Sequence, residues 1–137
     1  MKIIPTVLSI SIILIFACDQ HKINKPYLQS AWALMDGHQI LNFNSDSTAQ
    51  WIFHEETLSD TFLVKYKLNE ATQPYQLDLF DFNRGILKDK ILTGIVQYLG
   101  QDTILLDFEP IDDWGAADTI RPITFSVDQQ KYFVRKK

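Results

Sequence analysis

Three histidines, one cysteine, three tryptophans and an acidic run near residue 110 are the side chains of this sequence with the most chemistry to offer. His21, His38 and His54 leave little material for a zinc or histidine-based catalytic site. His38 and His54 fall in neighbouring expected strands and could form a cross-strand pair, but exposed polar strand residues are the default reading. Asp107, Glu109, Asp112, Asp113 and Asp118 could hold Ca²⁺ or work as an acid/base pair. Their spacing lacks the glycine and twelve-residue frame of an EF-hand, so they read as solvated loop charge. The sequence has no glycine-rich phosphate loop, no Ser-His-Asp order with an elbow motif and no Cys/His metal spacing. No catalytic residue, metal or cofactor is therefore assigned.

Recognition is a different matter. Trp114 lies in the longest irregular stretch, residues 110–121, where function concentrates more often than in tight turns. Trp32 and Trp51 lie in strand-like segments and read first as core. If an apolar ligand enters the domain, Trp114, Trp51 and Arg121 are its expected contacts. Arg121 has a structural role as well: a bidentate pair with Asp112, Asp113 or Asp118 would pin that loop across one end of the fold.

The elements that must position these residues begin with a targeting segment. Lys2 supplies a positive charge, residues 3–16 are almost wholly apolar, and Ala17 precedes Cys18. The apolar run is shorter than the roughly 20 residues a bilayer-spanning helix needs. Ile15-Phe16-Ala17-Cys18 resembles the lipobox of bacterial lipoproteins, which implies cleavage before Cys18 and acylation of its thiol and new amino terminus. Acylation also accounts for a single cysteine that has no disulfide partner. The expected organisation is a signal peptide over 1–17, a lipidated Cys18 with a polar tether over 18–26, and one domain over 27–137. The tether would hold the domain about 25 Å from the lipid. The implied location is the bacterial cell envelope, on either membrane, with the membrane as a partner through the anchor.

Loss of residues 1–17 removes Lys2 and takes the net charge from −4 to −5, which makes nucleic acid a poor partner. From Tyr27 the chain alternates with a period of two between closely spaced turn residues, the pattern of an all-β domain. Strands are expected over 29–35 and 38–44, joined at Asp36-Gly37, and over 48–54, 61–68, 75–82, 91–99, 103–109, 123–127 and 131–135. Residues 86–90 are left unassigned. Ala49, Trp51 and Phe53 share one face of their strand, as do Phe62, Val64 and Tyr66, and Ile104, Leu106 and Phe108. About nine short sequential strands favour an antiparallel meander, which removes its exposed edges most simply by closing into a barrel.

Order and spacing strengthen this reading. A tyrosine-bearing strand precedes Gln73-Pro74-Tyr75-Gln76-Leu77-Asp78-Leu79. Then come Gly94-Ile95-Val96, Gly100-Gln101-Asp102-Thr103-Ile104 and Arg121-Pro122-Ile123-Thr124-Phe125. With Ser30-Ala31-Trp32 and Asp36-Gly37 at the start, the series resembles small exported bacterial lipocalin-like (calycin-type) lipoproteins of largely unassigned function. The resemblance implies a lipocalin-like β-barrel and carries over no catalytic residue.

An eight-stranded barrel is either filled by its own side chains or holds one small ligand. The leading expectation is a non-enzymatic envelope lipoprotein that binds a small apolar or amphiphilic molecule. The alternative is a self-filled barrel that engages an envelope protein through its outer surface. Oligomeric state is not legible in the sequence.

Overall fold

The computed structural model describes residues 28–109 and 120–137. Eight strands follow one another: β1 Ala31–Leu34, β2 Gln39–Phe43, β3 Thr48–His54, β4 Ser59–Asn69, β5 Tyr75–Phe80, β6 Leu92–Tyr98, β7 Thr103–Phe108 and β8 Lys131–Arg135. Each pairs antiparallel with the next, and β8 returns to β1 through Trp32↔Arg135 and Leu34↔Phe133. The result is the all-β meander barrel that the alternation requires, with no free edge among its strands.

Local chemistry sets the turns. At Asp36-Gly37 the Asp36 carboxylate accepts from the His38 amide and Gly37 adopts φ +78°, where a side chain would be strained. Asp46 plays the same part for the next turn, accepting from the Thr48 amide and hydroxyl. The β4–β5 connection includes the cis peptide Gln73-Pro74.

The expected inner faces are the observed ones for β3, β4 and β7. Ala49, Val64, Tyr66, Ile104 and Leu106 are buried, and Phe53, Phe62 and Phe108 pack against the same core. Fully burying each such side chain contributes about 1.5–3 kcal/mol. One inner position is a glycine for lack of room: Gly94 lies opposite Phe108, whose ring occupies the place of a Cβ.

One expectation is corrected. Residues 123–127 are not a strand, so the last hairpin does not form and the barrel has eight strands. β8 takes β7 and β1 as neighbours instead, which leaves no edge for a ninth strand. Residues 120–127 run as a strap on the outer wall. Arg121 binds Asp78 of β5 and the Gly94 carbonyl of β6, and the Ser126 amide donates to Asp107 of β7 at 2.6 Å. On this side Ile95 and Leu105 point outward yet are buried. Residues 86–90 form a turn in the β5–β6 connection.

Candidate ligand-binding site at the open end of the barrel

The meander places alternate connections at opposite ends. One end, with the β2–β3, β4–β5 and β6–β7 turns, is closed by the chain itself. Leu28 is fully buried there, and its carbonyl accepts from the Trp32 indole at 2.9 Å. The Trp32 ring meets Tyr98 edge-on and carries the Arg135 guanidinium 4.4 Å from its centroid. Arg135 is held in turn by the Gln101 carbonyl. Beside it the Tyr66 hydroxyl donates to the Asn44 carbonyl, and its ring packs edge-on against Phe43. This half is a filled core.

Among the described residues the other end is not filled. A cavity of about 290 Å³ lies between Trp51, Phe53, Phe62 and Phe82, under Arg84 to Leu87 of the β5–β6 connection. A second lobe of about 130 Å³ extends along Leu92, Leu106, Phe108 and Phe133, and the two lobes share Gln39, Trp51 and Lys131. The aromatic rings form one arc. Trp51 lies 5.9 Å from Phe108 and 4.9 Å from Phe53, Phe53 lies 5.8 Å from Phe62, and Phe62 lies 6.5 Å from Phe82. A concave, mostly apolar space with a few polar groups at its margin is the common form of a small-molecule site.

Polar side chains ring this mouth. Gln39 accepts from the Trp51 indole at 3.2 Å, which orients the ring across both lobes. Arg84 lies 4.7 Å above the Phe62 centroid, donates to the Thr61 carbonyl and is paired with Asp60. Lys131 lies directly across from the buried, inward-facing Leu106 and two residues before buried Phe133, so it sits on the inner face of β8. Its side chain is exposed and, among the described residues, makes no hydrogen bond or ion pair.

The structure thus brings Trp51 into the wall of the candidate site. Arg121 stands elsewhere: it lines neither lobe and is bound to the outer wall through Asp78 and Gly94. Its expected partners Asp112, Asp113 and Asp118, along with Trp114 and Cys18, lie outside the described residues. The acidic run reads differently once folded. Asp107 and Glu109 are 2% and 4% exposed and therefore not solvated loop charge. Asp107 accepts from Ser126, and Glu109 accepts from the Thr93 amide and hydroxyl at 3.0 and 2.9 Å. His38, just before β2, lies opposite His54 of β3, but the two rings do not bond each other: His38 bonds the His54 carbonyl and His54 bonds the Ser59 hydroxyl. Among the described residues no three His, Cys, Asp or Glu side chains converge on a metal position.

Sequence reasoning missed Phe82, Arg84 and Lys131. Phe82 falls in the expected strand 75–82 with no face assigned, whereas β5 ends at Phe80, and residues 86–90 carry no periodic signal. For Lys131 the apolar run Tyr132-Phe133-Val134 hides which face is inner.

Comparison with protein-family models, curated proteins and solved structures finds no match for this chain.

Proposed function

We propose that this chain is a membrane-anchored lipoprotein of the bacterial cell envelope, tethered through acylated Cys18, whose lipocalin-like barrel binds a small apolar or amphiphilic molecule. The observation that carries the binding half is the aromatic cavity at one end of a barrel whose other end holds the buried side chains of Leu28, Trp32, Phe43 and Tyr66. A barrel devoted only to structure or to an outer-surface partner gains nothing from an unfilled half, because empty apolar volume costs stability. The anchoring half rests on the sequence of residues 1–18. The reading assigns no catalysis.

Binding is tested by titrating the full chain with apolar fluorescent dyes and single-chain amphiphiles. Trp51→Ala removes the ring common to both lobes and should weaken binding about tenfold, equivalent to about 1.4 kcal/mol. Failure of every such probe to bind would turn the reading to a protein-interaction lipoprotein. For the anchor, Cys18→Ser should accumulate as a larger, unprocessed precursor. Mature-sized, membrane-attached Cys18→Ser protein would remove the lipobox from the proposal.

A further inference from the structure

We propose that the cavity selects a single-chain amphiphile with an anionic head group, and that Lys131 is the residue that selects it. The inference rests on the reading of the cavity as a ligand site and names the chemistry of its occupant.

The first support is direction. On β8 the side chains of Phe133 and Arg135 turn inward, to the core and to the Trp32 ring. Lys131 follows the same alternation, and its partner across the sheet is Leu106, which is 1% exposed. An inward position on a barrel strand is ordinarily apolar. Here it is a lysine, exposed at the mouth, that lines both lobes.

The second support is charge. Two other ionisable residues line the lobes, Arg84 and Glu109, and both are engaged: Arg84 is paired with Asp60 and bonded to the Thr61 carbonyl. The Glu109 carboxylate is turned onto Thr93, which alternates with the inward-facing Leu92 and Gly94 and so points outward. Among the described residues that line the two lobes, Lys131 is the one cation whose side chain makes no hydrogen bond or ion pair. At an exposed rim walled on one side by aromatic rings, that charge is screened less than one on an open surface.

The third support is shape. The larger lobe has about the volume of ten waters at roughly 30 Å³ each, which fits a medium-length alkyl chain. The tail would lie against Phe53, Phe62 and Phe82. Gln39, beside Lys131, could orient the head group through its amide.

The test compares three probes of equal chain length, decanoate, decanol and decyltrimethylammonium, by calorimetric titration of the full chain. Decanoate should bind about tenfold or more tightly than either of the others. Lys131→Gln should weaken decanoate far more than decanol and so remove that preference, Lys131→Arg should keep it, and Lys131→Glu should transfer it to decyltrimethylammonium. Thermal unfolding of each variant checks that the barrel is intact. Equal binding of decanol and decanoate, or an unchanged preference in Lys131→Gln, would overturn the assignment of Lys131 while leaving the cavity a ligand site. If none of the three probes binds, both the assignment and the ligand-binding reading fall.

Discussion

Arg121 sets its Nη2 2.6 Å from the Asp78 carboxylate while its Nη1 donates to the Gly94 carbonyl at 2.9 Å, which fixes the strap to two strands at once. Both side chains of the pair are about three-quarters buried, so water screens them only partly. Arg121→Ala should destabilise the domain by about 1–2 kcal/mol in urea unfolding, between the value of an exposed pair and that of a charged hydrogen bond. A double-mutant cycle with Asp78→Asn should return a coupling of about 1 kcal/mol. Faster amide exchange at Ser126 would show that the strap has come away.

Gly94 has no room for a side chain. A Cβ there would meet the Phe108 ring and come within 2.8 Å of the Asp107 carbonyl oxygen. Gly94→Ala should cost about 1–3 kcal/mol through overpacking. Because the second contact is backbone, Phe108→Leu in the same chain should relieve the cost only in part. Full rescue in thermal unfolding would show that the ring alone excludes a side chain.

At the closed end Arg135 lies over Trp32 and donates to the Gln101 carbonyl, a planar fit that an ammonium group does not reproduce. Arg135→Lys should cost about 0.5–1 kcal/mol and Arg135→Ala about 1–2 kcal/mol. Trp32 becomes more exposed in the alanine variant, so quenching of its fluorescence by acrylamide should rise.

Tyr66 gives the fold a dependence on alkaline pH. Burial pushes its phenol above the ordinary value of 10.0, the neighbouring Asp46 adds to the rise, and a hydrogen bond with Gln29 opposes it. A folded-state pKa above the unfolded one means that the neutral phenol's contribution is complete below pH 10.0. That contribution is lost as pH climbs through the folded-state value. Tyr66→Phe should cost about 1 kcal/mol at neutral pH by leaving the Asn44 carbonyl without its donor. It should also flatten the loss of stability above pH 10.0 relative to the wild-type chain. A parallel decline in both proteins would show that other groups control alkaline unfolding.

The sequence by itself determined most of the barrel. Alternation along residues 48–54, 61–68 and 103–109 is a local property of an extended chain, so the inner faces of β3, β4 and β7 follow from residue type alone. Asp36-Gly37 and Asp46 fixed their turns for the same reason, through bonds within a few residues. Tertiary structure decided what depends on neighbours distant in the chain. Residues 123–127 alternate like a strand, but a closed barrel gives β7 and β8 two partners each and leaves no backbone edge to pair with, so the segment became a strap. Arg121 found Asp78 because that strap crosses β5, a relation no spacing in the sequence encodes. Lys131 sits among apolar residues that would suit either face, and only its register against Leu106 set it on the inner side of β8, at the rim of the cavity.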